Sequence, residues 1–349
     1  MLFDHPDFDG HEQVIFCNDS KAGLKAIIAL HSTALGPAAG GCRMQPYNSE
    51  VDALTDVLRL SKGMTYKNAV AGLPLGGGKC VIIADPTRPD KPELLRAFAE
   101  HIQALAGRYW TAIDIGVGPK DADVLAERSD FVFARASQYE PGFNPSEFTA
   151  LGGFMGIKAV ADTILSKADL KGLRVAVQGL GATGYALCGH LHKAGAELIV
   201  ADVRQSAVER AVTEFGAISV DPGEIHSADV DVFAPCALGA GLNDQTIPEI
   251  KAKAICGLAN NQLEEDRHGK SLLQAGIAYV PDYVVNAGGM MGASTVIFAE
   301  PSRDASIKRI EGLQYKISQI LVRAKAENRP TSEIADAMAR ERITNQGSV

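Results

Sequence analysis

A chain of 349 residues suggests two domains at roughly 150 residues each. Hydrophobic residues at 46% and charged residues at 22% are the proportions of a folded globular chain and exclude a disordered one. The net charge of −8, from 34 Lys and Arg against 42 Asp and Glu, excludes a broad nucleic-acid surface, although one local basic site could still hold a small anion.

In chain order, QVIFC (13–17) and LKAIIAL (24–30) predict strands from their β-branched content. Ser49 followed by Asp52 predicts a helix start, with Val51, Leu54, Leu58 and Met64 on its apolar face. CVIIAD (80–85) predicts a buried strand, PELLRAFAEHIQALAG (92–107) an amphipathic helix, and YWTAIDIG (109–116) a strand running into a loop. A long helical stretch begins near residue 147 and leads to the strand LRVAVQ (173–178). ELIVADV (197–203), VDVFAP (230–235) and AKAICGLA (252–259) then alternate with helical segments. Repeated strand–helix–strand units imply an α/β fold with a parallel sheet covered on both faces. The C-terminal 307–327 and 331–343 are helical, and no internal repeat is present.

The six cysteines are scattered without a C-x-x-C pair, so neither a disulfide scaffold nor a metal site is expected. MLFDHPDFDG lacks the basic start and apolar stretch of a secretory signal, and no apolar run approaches the ~20 residues of a membrane span. A cytoplasmic protein with no membrane or nucleic-acid partner is expected.

Glycine is abundant, 35 of 349, with no low-complexity run, which points to backbone packed closely on ligands or on other backbone. One concentration is Gly179-Leu-Gly181-Ala182-Thr183-Gly184, which follows a strand and opens a helix. In a Rossmann turn the first glycine permits the bend and the second lets backbone approach a pyrophosphate. The third lets helix and strand pack closely, with the helix N-terminus facing the phosphates. Asp202 ends the next strand, where a carboxylate accepts the ribose hydroxyls and repels a 2′-phosphate. NAD is therefore expected over NADP, a preference that Arg204 weakens. A tight turn without a ligand is the plainer alternative.

The second concentration is Gly76-Gly77-Gly78-Lys79. It is not a phosphate-binding P-loop, because Leu73 replaces the first glycine and Cys80 stands where Ser or Thr should hold magnesium. What remains is a lysine on a glycine-rich turn, with Lys67 twelve residues earlier and a further pair at Gly40-Gly41. Two lysines converging on an apolar cleft would divide their roles. One would pair with a carboxylate while the other, desolvated beside a like charge, would become a base. Asp114 is then a proton carrier. The alternative is solvated surface lysines and a loop-capping aspartate.

LGPAAGGCR (35–43), MTYKNAVAGLPLGGGK (64–79), TAIDIGVG (111–118), NPSEFTALG (144–152), VQGLGATG (177–184), APCALGA (234–240), LANNQL (258–263) and NAGGMM (286–291) resemble, in order, the glutamate/leucine/phenylalanine/valine family of NAD-dependent amino-acid dehydrogenases. They are most similar to its leucine and phenylalanine branch. The resemblance implies two domains with a cleft between them: an α/β substrate-binding and oligomerisation domain over 1–140, and a Rossmann domain over 141–330. A final helix, 331–349, would return to the first. It implies reversible oxidative deamination of an L-amino acid to a 2-oxo acid and ammonia, in a homo-oligomer. By the same resemblance Lys67 holds the substrate carboxylate, Lys79 activates water and Asp114 shuttles protons. Gly40 and Gly41 contact substrate through backbone, and Thr149 contacts the nicotinamide amide. Asn261 assists at the carboxylate or the nicotinamide ribose, with Asn260 next to it as the other register. Ala182, Thr183 and Ala237 join the three turn glycines and Asp202 around the cofactor.

The implied side-chain pocket comprises Ala39, Met64, Ala112, Met290 and Ala293. None is charged, so a glutamate side chain would find no partner there. Small residues at Ala39 and Ala293 suit an aromatic substrate, whereas the surrounding motifs look leucine-like, so branched-chain and aromatic substrates both stay open. Each methionine could equally be core packing. Two further readings stand beside the dehydrogenase: a non-catalytic dinucleotide sensor and a hydroxy-acid dehydrogenase.

Overall fold

The structure, a computed structural model, describes every residue except 1, 140–143, 145, 238, 301 and 347–349. The chain divides into two compact units. Unit 1 comprises Met1–Phe143, Val296–Pro301 and Ala339–Val349, and unit 2 comprises Asn144–Thr295 and Ser302–Met338. The expected boundary at 140/141 lies outside the described residues. The expected return at 331 differs from the grouping here, in which the chain rejoins unit 1 at Ala339. The short excursion at Val296–Pro301 had no sequence signal.

Unit 1 is built from β1 (Gln13–Asp19), β2 (Leu24–Ser32), β3 (Ala38–Gln45), α1 (Glu50–Val70), β4 (Gly76–Ile83), α2 (Lys91–Gln103), β5 (Tyr109–Ile113) and α3 (Pro119–Ala126). Its sheet runs β1-β2-β4-β3-β5. β2 pairs antiparallel with β1 and β4, and β3 lies parallel between β4 and β5. Side chains alternate across the sheet. Ile27, Ala29 and Val81 meet Val57 and Leu58 of α1, while Ile28, Cys42, Cys80 and Ile82 meet Leu94 and Phe98 of α2. The Ser49 hydroxyl accepts the Asp52 N–H at 3.0 Å and caps α1, as Ser49 and Asp52 predicted. Of the predicted apolar face Leu58 is buried and Leu54 packs against the core, but Val51 is 62% exposed, and Ala53, Val57, Ser61, Thr65 and Asn68 complete the buried face. Polar residues there satisfy backbone: Asn68 Nδ2 donates to the Gly76 carbonyl at 2.6 Å.

One strand, β3, escaped sequence reading, and β4, expected from Cys80, starts four residues earlier. β3 and β4 begin at Ala38 and Gly76, so Lys79 sits inside a strand and not on a glycine-rich turn. Glycine is depleted in strands, which hid both starts. Here it is required by close approach: a Cβ on Gly77 would stand 2.1 Å from the Thr65 nitrogen, and one on Gly78 would stand 2.7 Å from the Tyr109 ring. Trp110, the single tryptophan, lies on β5 with its ring edge-on to Phe131 at 5.4 Å.

Unit 2 contains α4 (Ser146–Thr163), β6 (Arg174–Gln178), α5 (Ala182–Lys193), β7 (Glu197–Ala201), α6 (Gln205–Phe215), β8 (Ile218–Ser219), β9 (Val232–Pro235), β10 (Ala254–Ile255), α7 (His268–Gln274), β11 (Ala278–Tyr279), α8 (Asp282–Val285), α9 (Gly288–Ala293), α10 (Arg303–Glu311) and α11 (Leu313–Glu327). The sheet runs β11-β10-β9-β6-β7-β8 with every pairing parallel. Read from β8, the six strands follow the 3-2-1-4-5-6 order of a doubly wound dinucleotide-binding sheet, whose crevice opens where the order reverses, between β6 and β9. α12 (Thr331–Gln346) ends in unit 1, where Arg342 donates to the Ala69 and Gly72 carbonyls at 2.7 and 3.0 Å and satisfies the C-terminal end of α1. Among the described residues no helix is long and apolar enough to cross a membrane, and no group of His, Cys, Asp and Glu could hold a metal ion.

Candidate active site

In unit 1 the chemistry gathers on the α1 face of the sheet. Lys79 Nζ lies 2.5 Å from Asp114 Oδ2, and the lysine side chain is only 8% exposed. Asp114 follows β5 in a tight turn closed by the Asp114 and Val117 backbone groups at 2.9 and 3.2 Å. Gly41 permits that placement, since a Cβ there would meet the Ile113 carbonyl at 2.3 Å and Asp114 Cβ at 3.0 Å. A second cation reaches the same carboxylate oxygen: Arg43 Nε donates to Oδ2 at 3.1 Å. Burial pushes the Asp114 carboxyl up, but Lys79 and Arg43 outweigh it and hold the group below the usual carboxylate range. Asp114 is therefore ionised at neutral pH.

The sequence quoted Arg43 only within a motif and gave it no role. Its Nη1 donates to both oxygens of Asp56 on α1 at 3.2 and 3.0 Å, and the Tyr47 hydroxyl donates to Asp56 Oδ2 at 2.7 Å. A usable signal existed, because a charge inside the otherwise buried AAGGCRM needs partners. Tyr109 was also missed. Its buried hydroxyl donates to the Gly40 carbonyl at 2.9 Å from the opposite face.

Lys67 stands in the last turn of α1. Helix and strand touch where Gly77 meets Thr65, two residues before Lys79 and two before Lys67 respectively. Met64 lies over Gly40, its Cγ 3.0 Å from where a Cβ would be. Gly40 and Gly41 thus make room for protein atoms. Ala39 is wholly buried and Ala112 nearly so, while Met64 is half-buried.

In unit 2 the turn glycines differ in kind. Gly179 takes φ +94° and packs on Ala237, which would stand 2.7 Å from an added Cβ, and a Cβ on Gly184 would stand 2.0 Å from the Gly179 carbonyl oxygen. A Cβ on Gly181 meets nothing within 4 Å, so open space lies at the N-terminus of α5, beside Ala182 and Thr183. That is the cradle a pyrophosphate needs. Asp202 follows β7 with a side chain 7% exposed. Its Oδ2 accepts the Leu180 N–H at 2.6 Å, and its Oδ1 accepts the Arg204 N–H at 2.8 Å and Nε at 3.1 Å. The residues fit a dinucleotide.

Asn261 holds φ +52°, a conformation asparagine tolerates better than most residues and one common at functional positions. Its neighbour Asn260 is engaged, its Oδ1 accepting from Asn286 at 2.7 Å. On α4, Thr149 abuts α9: a Cβ on Gly289 would stand 2.5 Å from its hydroxyl. Half-buried Met290 follows that glycine, and Ala293 ends α9 nearly buried.

The parallel sheet with its open glycine turn, and the buried lysine–carboxylate pair, define a dinucleotide-dependent oxidoreductase. Residues 11–130 match the model for the Glu/Leu/Phe/Val dehydrogenase dimerisation domain, and residues 200–311 match that for Glutamate/Leucine/Phenylalanine/Valine dehydrogenase. The chain is 49% identical over 342 residues to a leucine dehydrogenase of Geobacillus stearothermophilus, covering 98% of this chain and 93% of that one. It is 44% identical to a phenylalanine dehydrogenase of Caldalkalibacillus thermarum, covering 95% and 91%. The crystal structure of L-tryptophan dehydrogenase from Nostoc punctiforme superposes with a TM-score of 0.89 at 41% identity, covering 99% of both chains. The chain belongs to the Glu/Leu/Phe/Val dehydrogenase family.

Proposed function

We propose that this protein catalyses the NAD-dependent, reversible oxidative deamination of an apolar L-amino acid to its 2-oxo acid and ammonia. The observation that carries this reading is the buried Lys79–Asp114 ion pair at 2.5 Å. Such a pair sets an ionised carboxylate and a lysine nitrogen side by side, two groups that can each accept and return a proton. A bound nicotinamide dinucleotide would supply the hydride acceptor. Lys67 holds the substrate carboxylate, and Asp114 takes a proton from the substrate amino group. Lys79, once its ammonium has released a proton to solvent, takes a proton from the water that attacks the iminium carbon and so regains its charge. Asp114 then returns a proton to nitrogen, so that ammonia leaves the carbinolamine. Thr149 and Asn261 orient the nicotinamide end.

Apolar substrates are favoured because Ala39, Met64, Ala112, Met290 and Ala293 offer no charge to a substrate side chain. The named relatives act on leucine, phenylalanine and tryptophan. NAD over NADP rests on Asp202 at the end of β7. The dimerisation-domain match supports a homo-oligomer, and six free cysteines support a reducing, cytoplasmic setting.

The test is NADH formation with a panel of L-amino acids at mildly alkaline pH. Turnover is expected with at least one of leucine, valine, phenylalanine and tryptophan and not with glutamate. No turnover with any of those four would overturn the reading.

A further inference from the structure

The proposed reacting pair is in contact with a second cation, Arg43. Asp114 lies just beyond the end of β5, and Lys79 reaches it on a flexible four-carbon stem. A single ammonium is a point charge and does not set which way a carboxylate faces. Arg43 supplies direction. It projects from β3, the strand between those that carry Lys79 and lead to Asp114, and its planar fork is held on two sides. Nη1 grips both oxygens of Asp56 at 3.0 and 3.2 Å, while Nε meets Asp114 Oδ2 at 3.1 Å. The Tyr47 hydroxyl donates to Asp56 from the outer side at 2.7 Å. Arg43 and Asp56 are 18% and 26% exposed, so solvent screens this chain only partly.

We propose that Arg43 is the positioning residue of the Lys79–Asp114 pair: clamped by Asp56, it presents Nε to Asp114 Oδ2 and orients the carboxylate on Lys79. This rests on the reading of Lys79 and Asp114 as the reacting groups. The same contact has an electrostatic side. The charged groups facing Asp114 are Lys79 from β4 and Arg43 from β3, with the buried Cys42 thiol next to Arg43 on its strand and Asp56 and Tyr47 facing Arg43 from behind. Loss of Arg43 removes one of the two cations that keep Asp114 ionised, so its titration moves to higher pH.

The experiment measures kcat, KM and their pH profiles for the full-length enzyme and for Arg43→Gln, Arg43→Lys and Asp56→Asn, with Lys79→Ala as a control on the pair itself. Arg43→Gln is expected to lower kcat about tenfold to a hundredfold, as misplacement of reacting groups does. KM for the amino acid should change less than about threefold, and the acid limb of kcat/KM should move up by about one pH unit. Arg43→Lys should return that limb toward its original position while recovering only part of kcat, because a flexible ammonium holds two carboxylates with less directional control than a planar fork. Asp56→Asn should lower kcat in the same direction and by less. An unmoved acid limb with nearly full kcat in folded Arg43→Gln would overturn the proposal. So would a lysine variant no closer to the original profile than glutamine. If circular dichroism shows Arg43→Gln unfolded, full kcat in both Arg43→Lys and Asp56→Asn overturns it instead. Lys79→Ala retaining most of its rate would remove the reading of the reacting pair, and the positioning role with it.

Discussion

Two carboxylates of this molecule sit among cations and are used in opposite ways. Asp202 spreads its bonds over both oxygens, to the Leu180 amide on one side and the Arg204 amide and guanidinium on the other. It ties the glycine turn to the end of β7 and works as part of the scaffold. Asp114 collects Lys79 and Arg43 on one oxygen, Oδ2. Gathering two cations at a single atom makes a sensitive charge balance, and that suits proton transfer better than bracing. The glycines divide less cleanly, because Gly179 and Gly184 of the turn beside Asp202 are also packed by protein atoms. Those near Asp114 are filled by neighbouring protein atoms, whereas Gly181 beside Asp202's turn faces open space. Residue type alone therefore does not reveal function; what occupies the space next to it does.

The strongest challenge to this contrast is Asp114→Asn. Lys79 would stay buried without its counter-ion, and activity should fall about a hundredfold to ten-thousandfold, the range for a lost general acid–base group. Stability should fall by about 3 kcal/mol, as when one member of a buried pair is removed. The pH dependence has a definite sign. The Asp114 carboxyl titrates lower in the folded chain than its ordinary value, so its contribution is present above about pH 4 and is lost as pH falls through the folded value. Melting temperature against pH should accordingly drop less steeply below pH 4 in Asp114→Asn than in the wild type. Equal slopes would mean that the ion pair contributes nothing to acid stability.

The glycine half of the contrast is tested by a pair of alanines. Gly77→Ala forces α1 away from β4 and should cost about 1–3 kcal/mol, the usual range for overpacking. Gly181→Ala should change stability by less than about 0.5 kcal/mol, yet weaken dinucleotide binding measured by fluorescence titration. Similar stability losses in both would erase the distinction. The smallest expected effect lies at Arg204, whose side chain is 59% exposed. Arg204→Ala leaves Asp202 without its nearby cation, so discrimination against NADP should rise a few-fold, within the range of one exposed charge pair. Direct measurement of the Kd for NAD and NADP checks it, and an unchanged ratio would show that Arg204 does not face the 2′ position.

The dinucleotide half was the more legible in sequence, because its signal is local: a strand, three spaced glycines and a helix follow one another between Arg174 and Lys193. The substrate half was legible as a set of residues but not as a structure. Lys79 and Asp114 are brought together across β3, which pairs with β4 and with β5, the strand leading to Asp114, and whose Ala-Ala-Gly-Gly start carries none of the β-branched content that marks a strand. The same absence hid the glycine start of β4, which carries Lys79, while its Cys80–Ile83 part was legible. Val51 shows another limit: it fits a helical apolar stripe, yet α1 turns its small and polar residues inward because they must lie close to glycine backbone. Arg43 carried a signal in its charge, but its partners come from α1 and the turn after β5, separations that no local pattern encodes.

Trp110 offers one more consequence. It is the single indole of the chain and stands on β5, four residues before Asp114, with its neighbour Phe131 also in unit 1. Unit 2 is silent in tryptophan emission. Ultraviolet excitation of this one fluorophore therefore follows a single part of the protein, the strand that leads to the proposed proton carrier. In a refolding experiment its spectrum would time the docking of β5 onto β3, separately from the return of dinucleotide binding. Mutagenesis elsewhere would leave that built-in clock untouched.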